Sequence, residues 1–423
     1  MLTLDWIIIA ICVVLLLLGI LSPMASPMFR MRKAVSDINE EPTDNTEPTP
    51  EQETQDADAE SPAPRAACPV TILLTALKIT DELQKNLPSY LSQAYEGEWK
   101  LVVVTEKGDS NTDDLLKRYA DNEHLYTTFI PESSRYMDRK KLAVTLGVRA
   151  AETEWILLAD PACTPASDQW LAQMAEQMTD DHRLVVGYSN FDNEASASWR
   201  FQKLYKTCSN FRKAMKSLAF GTNTKNLAFR KSDFIEGDGY RGFLEHIGGR
   251  FDFIVNKYAT PGTTAVVLSP EAWMIERTPS DTLWKSSRIA EYLRMQSLDR
   301  RRSFKAQFFS DALLQHFHLL LCLLVIAAAA TLLALGLQMP LPSWLSGLYA
   351  PLPHILLIAF AVISLLTAYA LRVHYAKPLI AHFESDIASS KAPFYELSMV
   401  WRYWADALRY RKEDKYDFTS HKV

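Results

Sequence analysis

Residues Trp155–Leu171 read WILLADPACTPASDQWL, an apolar run that ends at an acidic residue. The run Trp155–Ala159 stops at Asp160-Pro161, and the prolines that follow prevent a strand from continuing. Residues 168–174 then have a helix-like pattern. We therefore predict a buried strand that delivers a carboxylate to the carboxyl edge of a sheet, with a helix behind it. In open α/β sheets, ligands bind at this edge, where the strand order reverses.

Strands and helices alternate in the residues that precede this stretch. Apolar runs and amphipathic spacing predict strands at 70–74, 101–104 and 126–130, and helices at 80–93, 113–120 and 140–151. This alternation of strands and helices implies right-handed βαβ units and a mostly parallel sheet.

The composition limits the class of protein. With 423 residues, of which 48% are hydrophobic and 22% charged, the chain can form one sizeable domain with additional segments. A net charge of −5 offers no electrostatic reason to bind nucleic acid, so we expect no such partner. The five cysteines are scattered and form no C-x-x-C pair. This pattern argues against structural zinc and a disulfide framework, and it is typical of a reducing compartment.

The N-terminal residues 1–24 are predicted to be a transmembrane anchor, because Trp6–Met24 is apolar and long enough to cross a bilayer. A cleaved signal peptide is the alternative, but Met1–Trp6 lacks the basic residues that such a peptide carries. The first basic residues follow the apolar stretch, at Arg30, Arg32 and Lys33. By the positive-inside rule, the N-terminus then lies outside and the following chain inside.

Residues 25–67 are predicted to be an acidic, disordered linker. Within them, Ala34–Pro64 has no Lys or Arg and almost no large apolar residue. Such a segment cannot bury enough apolar surface to offset the entropy lost on ordering.

Two further apolar stretches, Leu313–Leu337 and His354–Leu371, predict a two-helix transmembrane hairpin over residues 301–373. The loop between them has no charged residue, whereas basic residues precede the first stretch and follow the second. This asymmetry places the large domain and the C-terminus in the cytoplasm. We interpret His316 and His318 as interfacial.

The tail, residues 374–423, combines aromatic with basic residues. This mixture predicts a cytoplasmic amphipathic helix lying on the membrane surface. Packing against the preceding domain is the open alternative.

Residues 68–300 are predicted to form one domain, within which the segment from about Cys68 to Arg288 resembles the nucleotide-sugar domain of family 2 glycosyltransferases. The segment from Cys68 is similar to the family's opening V-S-I-I-x-x-x-N-E, Asp160 stands at the start of its D-x-D motif, and Gly221–Phe234 is similar to its G-x-x-x-N-x-A-x-R-K acceptor segment. The resemblance implies an α/β fold of the GT-A type (a Rossmann-like nucleotide-sugar domain), here with one N-terminal and two C-terminal transmembrane helices. In the acceptor segment, Asn226, Arg230 and Lys231 are the candidate residues.

The resemblance also implies a donor site. The family's D-x-D motif binds a divalent cation, Mg²⁺ or Mn²⁺, and here only Asp160 remains because Ala162 stands at the second carboxylate position. Glu106 or Asp109 would contact the nucleotide base, with an ordinary polar loop as the alternative. Basic residues of the family's donor site correspond to Lys140 and Lys141.

The general base is less well preserved. Gly248–Asn256 is similar to the family's G-E-D-D-x-x-x-N segment, but its E-D step reads Arg250 and Phe251. Asp252, one residue later, is the candidate base, and a structural role is the alternative because one residue along a helix turns a side chain by about 100°. The family's Q-x-x-R-W motif is absent from Trp284–Tyr292.

Two hypotheses about function follow from the resemblance. The first is an enzyme of the inner (cytoplasmic) membrane that transfers a sugar from a nucleotide-sugar donor to a lipid-linked or cell-envelope glycan. The second is an inactive homologue that acts as a scaffold or partner of an active glycosyltransferase at the membrane.

Overall fold

A computed structural model describes residues 4–39, 67–131, 138–337 and 352–412. These residues form two compact units, each assembled from separate parts of the chain. The first unit contains residues 4–33, 197–209, 300–337 and 352–408. The second contains residues 34–39, 67–131, 138–196, 210–299 and 409–412.

The described residues form ten strands and thirteen α-helices, numbered here in chain order. The strands are β1 Val70–Thr75, β2 Trp99–Glu106, β3 Leu125–Ile130, β4 Trp155–Ala159, β5 Cys163–Pro165, β6 Leu184–Gly187, β7 Ser189–Phe191, β8 Asn226–Arg230, β9 Thr264–Val267 and β10 Met274–Glu276. The helices are α1 Leu4–Met24, α2 Pro27–Asn39, α3 Thr80–Leu91, α4 Ser110–Lys117, α5 Arg139–Ala150, α6 Trp170–Ala175, α7 Ala197–Lys216, α8 Lys231–Glu236, α9 Arg250–Tyr258, α10 Asp281–Ser297, α11 Arg301–Ala334, α12 Leu352–Phe383 and α13 Ala392–Tyr410.

A seven-stranded sheet organises the second unit, in the order β3-β2-β1-β4-β8-β6-β9. The four predicted strands β3, β2, β1 and β4 are parallel to one another. Strand β8 runs antiparallel to both β4 and β6, so the sheet is mixed rather than parallel throughout. The chain passes outward from β1 through β2 to β3 and returns on the other side of β1 as β4. The strand order therefore reverses between β1 and β4, where such sheets bind ligands.

The core of this unit lies between the sheet and its helices. Strands β1 and β4 are buried along their whole length. The spacing that predicted α3 corresponds to its buried face, since Leu83, Leu87 and Tyr90 have no exposed surface. Burial of each such side chain stabilises the fold by roughly 1.5–3 kcal/mol.

In the first unit, α1, α11 and α12 are long and apolar enough to cross a membrane. They pack through a small apolar cluster that includes Leu15, Cys322 and Ala361. Many of their other apolar side chains are exposed, as expected of helices that face lipid.

The second unit also contains a three-stranded sheet, in the order β5-β10-β7.

Three predictions for these segments need correction. Residues 27–39 of the predicted disordered linker are helical, because α2 spans Pro27–Asn39; residues 40–66 of that linker lie outside the described residues. Helix α12 continues to Phe383, beyond the predicted end of the hairpin. His318 is buried rather than interfacial, and its Nε2 lies 2.8 Å from Ser364 Oγ. A buried imidazole needs such a partner, which the sequence pattern could not reveal.

Candidate functional site

The site lies where the strand order reverses, at the carboxyl ends of β1 and β4. Their parallel register places Thr75, the last residue of β1, beside Asp160, which directly follows β4. Helix α3 holds the loop after Asp160, since the Tyr90 hydroxyl donates to the carbonyls of Asp160 (3.0 Å) and Cys163 (2.8 Å). The Asn86 amide donates to the Pro161 carbonyl at 2.9 Å. Asp160 is therefore on a rigid support.

Arg250 occupies the space in front of Asp160. Its guanidinium donates to Asp160 Oδ2 through Nη2 and to Thr75 Oγ1 through Nη1, so that it bridges β1 and β4. Arg250 is only 6% exposed. The position that the resemblance assigns to an acidic residue thus carries a buried cation.

Lys225 and Glu276 extend this ion pair into a chain of charges. In the antiparallel register of β4 and β8, Ala159 faces Asn226, so that Lys225 lies next to Asp160. Lys225 Nζ is 3.8 Å from Asp160 Oδ2 and 3.2 Å from Glu276 Oε2. Glu276 is 2% exposed and also accepts a hydrogen bond from the Ser189 hydroxyl.

The pKa values of the charged groups in this cluster depend on one another. Burial acts to raise the pKa of Asp160, but Lys225, Arg250 and Lys140 outweigh it and hold the pKa well below its usual range. Burial acts to lower the pKa of Lys225, but Glu276 and Asp160 reverse the direction and raise it. The carboxylate and the ammonium therefore both stay ionised at neutral pH.

The two acidic residues predicted to contact the nucleotide base already have partners. Glu106, at the end of β2, accepts from Arg139 Nε at 2.7 Å. Asp109 is the N-cap of α4 and accepts from the backbone N–H (3.3 Å) and hydroxyl (2.8 Å) of Thr112. Both lie at the carboxyl end of the strand that pairs with β1.

The predicted pair Lys140 and Lys141 divides between two roles. Lys140 is an exposed residue at the start of α5, and the positive charge of Arg250 together with partial burial of the ammonium group lowers its pKa. Asp138 accepts from the backbone N–H groups of both Lys140 and Gly248, which places the start of α5 beside the start of α9. Lys141 is fully buried, and its ammonium donates to the carbonyls of Phe243 (2.7 Å) and His246. Burial lowers the pKa of Lys141 to about 8. This geometry assigns Lys141 to holding the loop that precedes α9 rather than to binding a ligand.

Asp252 lies on the other side of α9 from Arg250, because two residues along a helix turn a side chain by about 200°. Its carboxylate accepts from the Thr222 N–H (3.3 Å) and pairs with Arg294 Nε (3.2 Å). Burial raises the pKa of Asp252 to about 6, although Arg294 opposes this change. A carboxylate with such a pKa suits proton transfer near neutral pH.

The segment similar to the family's acceptor motif has a structural role. Asn226 is fully buried, donating to the Ala272 carbonyl (2.7 Å) and accepting from Trp170 Nε1 (3.2 Å). Arg230 donates to the carbonyls of two loop residues, and Lys231 donates to the Ala151 carbonyl at 2.6 Å. These side chains hold β8 and its neighbours in place.

The residues present do not fit a divalent cation. Asp160 Oδ2 is bonded to Arg250, and its Oδ1 accepts from the Ala162 N–H at 3.1 Å. Glu276, the nearest further carboxylate in the charge chain, is bonded to Lys225 and Ser189. Within the described ranges, no three His, Cys, Asp or Glu side chains form a group that could hold a metal ion. Mg²⁺ requires oxygen ligands that are free to coordinate it.

Sequence reasoning did not identify Thr75, Lys225 or Glu276 as members of the site. Lys225 directly precedes an apolar strand, which carries no signal of chemistry until the antiparallel pairing of β8 with β4 is known. Glu276 comes from β10 of the small sheet, far along the chain.

A family model matches part of the chain. The model described as "Glycosyl transferase family 2" matches residues 72–238. No curated protein sequence matches the chain.

Two solved structures align with this chain at low identity. The mannosyltransferase PcManGT from Pyrobaculum calidifontis, solved with GDP-Man and Mn²⁺, is 15% identical with a TM-score of 0.47; the alignment covers 96% of this chain and 99% of that one. S. aureus TarS 1-349 is 13% identical with a TM-score of 0.40; the alignment covers 79% of this chain and 91% of that one.

Proposed function

We propose that this protein, whose residues 72–238 match the model of glycosyl transferase family 2, transfers a sugar from a nucleotide-sugar donor to a lipid-linked or cell-envelope glycan. The observation that carries the proposal is the group of charged side chains at the switch point of the sheet: Lys140, Asp160, Lys225 and Arg250. Positive groups at this edge can bind the donor's diphosphate and stabilise the charge that develops on it as the sugar leaves.

In this proposal, the nucleotide lies at the carboxyl ends of β1 and β2. Glu106 or Asp109 would contact its base or ribose, which supposes that the ligand replaces part of their present hydrogen bonding. A divalent cation would supply charge neutralisation of the leaving diphosphate if bound, but the oxygen ligands around Asp160 do not fit one, so we assign no step to it.

Asp252 is the proposed base for the acceptor hydroxyl. It is the carboxylate that survives in the segment similar to G-E-D-D, and its pKa of about 6 leaves it ionised at neutral pH. In the transfer, the acceptor oxygen bonds to the sugar carbon, the bond to the diphosphate breaks, and the acceptor proton passes to the carboxylate.

We further propose that the protein lies in the inner membrane, with the large domain and the C-terminus in the cytoplasm. Support comes from the three apolar helices and from the basic residues that flank them. Helix α13 would then lie on the membrane surface, near a lipid-linked acceptor.

A second function, that of an inactive scaffold or partner of an active glycosyltransferase, is favoured by a specific observation. Phe251 stands at the base position, and Asp252 lies about 200° around α9 from Arg250. The carboxylate is therefore held by Thr222 and Arg294, away from Asp160.

A transfer assay distinguishes the two functions. The full chain in lipid nanodiscs is incubated with radiolabelled UDP- and GDP-sugars and with extracted membrane lipids, and label in the lipid phase is counted. Incorporation that is lost in Asp252→Asn supports the enzyme. Absence of incorporation, together with co-purification of a second glycosyltransferase from native membranes, supports the scaffold.

A further inference from the structure

We infer that the donor site binds a nucleoside diphosphate without a divalent cation, because side chains of the protein itself take over the neutralising role. Arg250 neutralises Asp160 from the protein interior, and Lys225 and Lys140 contact the diphosphate. The inference rests on the proposed nucleotide-sugar donor and goes beyond it by naming what holds the diphosphate.

Asp160 is already paired with a buried cation. Arg250 is 6% exposed and donates to both Asp160 and Thr75, so its guanidinium is part of the structure rather than a mobile surface group. A divalent cation at Asp160 would have to displace this guanidinium or lie beside it. Displacement would break the hydrogen bonds of a buried guanidinium. A cation beside it would bring like charges together where water is excluded, so that they repel strongly.

The remaining cations, Lys225 and Lys140, are at least partly exposed. The Lys225 side chain is 37% exposed, and Lys140 is exposed at the start of α5. Lys225 Nζ carries three donors, and the nearest carboxylate oxygens are 3.2 Å and 3.8 Å away, so a donor is left for a ligand. Compact ammonium groups of this kind bind phosphate as point charges.

The backbone fixes the positions of Lys225, Arg250 and Lys140. The pairing of Ala159 with Asn226 sets Lys225 beside Asp160. The left-handed residues Gly248 (φ 74°) and Gly249 (φ 73°) turn the chain so that α9 begins at Arg250. The Gly248 N–H donates to Asp138, which also caps α5 at Lys140. Strand pairing therefore positions Lys225, and the contacts of Asp138 bring the backbone of Lys140 and the start of α9 together.

Titration calorimetry of the full chain in detergent with UDP and with GDP tests the inference. The titrations are done in EDTA and again with Mn²⁺ or Mg²⁺. We expect dissociation constants that agree within about twofold with and without metal. Lys225→Gln and Lys140→Gln should each weaken binding by about tenfold or more, as expected for a lost charge-assisted contact.

Lys117→Gln is the matched control, because Lys117 is a lysine on α4 that is 73% exposed and pairs with Asp114 at 2.8 Å. It should bind as the natural protein does. Lys140→Gln removes an exposed side chain, so it keeps the test usable if Lys225→Gln fails to fold.

The outcomes are distinct. Metal-independent binding that both lysine variants weaken supports the inference. Binding that requires Mn²⁺ or Mg²⁺ overturns it and leaves the proposed nucleotide-sugar donor intact. Absence of nucleotide binding under both conditions overturns the inference together with the proposed function.

Discussion

Asp160 and Arg250 form a buried ion pair, with side chains 12% and 7% exposed. Removing one partner of such a pair leaves an uncompensated charge and typically costs about 3–5 kcal/mol. We predict that Arg250→Gln lowers the free energy of unfolding by no more than about 3 kcal/mol, the lower end of this range. The loss is at the lower end because Lys225 remains near Asp160. Chemical denaturation in detergent measures the change.

Two further variants test the cause. Adding Asp160→Asn to Arg250→Gln removes the unpaired charge and should recover part of the loss. Arg241→Gln breaks an exposed pair with Asp238 and should change stability by less than about 1 kcal/mol. If the double variant is no more stable than Arg250→Gln, the pair is not the cause.

The raised pKa of Asp252 predicts how the rate of sugar transfer depends on pH. Because its pKa is raised to about 6, it is protonated below that pH and cannot accept a proton from the acceptor hydroxyl. We expect kcat/KM for sugar transfer to fall as pH drops through about 6 and to level off above it. Asp252→Asn should lower the rate by about 10²–10⁴ and remove this limb. A natural-protein rate that is flat between pH 5 and 7 would contradict the assignment.

At the scale of elements, the start of α9 determines where Arg250 points. A Cβ added to Gly249 would lie 2.6 Å from Arg294 Cδ and from Phe253 Cε2, at a φ of +73°. We predict that Gly249→Ala lowers the free energy of unfolding by at least about 2 kcal/mol, since the left-handed backbone alone costs about 1–2 kcal/mol.

Gly262→Ala isolates the backbone contribution. Gly262 has a similar φ of +77°, but an added Cβ there would meet nothing within 4 Å. Denaturation curves for the two variants should therefore differ. Equal losses would mean that the contacts with Arg294 and Phe253 have no effect.

Helix α13 presents an exposed apolar stripe. Phe394, Trp401, Trp404 and Leu408 are 51–66% exposed and share one helical face, while the opposite side contains the buried pair of Glu396 with Arg372. Trp401 also lies near His316, with ring centroids 5.9 Å apart, where the apolar stretch Leu313–Leu337 begins in α11. Such a stripe beside the ends of apolar helices is typical of the membrane interface.

We predict that the stripe contacts lipid. A polarity-sensitive dye attached at Trp401→Cys should emit at shorter wavelength in nanodiscs than the same dye at Lys117→Cys, which lies on the exposed face of α4. Brominated lipids should quench the first dye and not the second. Equal emission at both positions would exclude contact with lipid.

At the scale of the whole molecule, the basic residues next to the three apolar helices predict the orientation in the membrane. A fluorescent protein that folds only in the cytoplasm should fluoresce when fused after Val423. Alkaline phosphatase, which is active only outside, should be active when inserted within residues 338–351, where the sequence has no charge. The opposite pattern would reverse the topology.

Much of the fold could be predicted from local patterns. The four strands β1–β4 and the helices between them were predicted because apolar runs and amphipathic spacing are properties of neighbouring residues. The extensions of α2 and α12 were missed, since their buried side chains, such as Met31 and Leu379, pack against parts of the chain that a local hydropathy pattern does not include.

The site was predictable only in part. The chain sequence alone determines that Asp160 follows a buried strand, that Ala162 cannot bind metal, and that Arg250 and Phe251 replace acidic residues. The partner of each charge was decided by the tertiary structure. Arg250 meets Asp160 across 90 residues, and Lys225 reaches it through the pairing of β4 with β8. Local patterns follow from short-range sterics and burial, whereas charge partners depend on strand register and helix direction, which only the folded chain brings together.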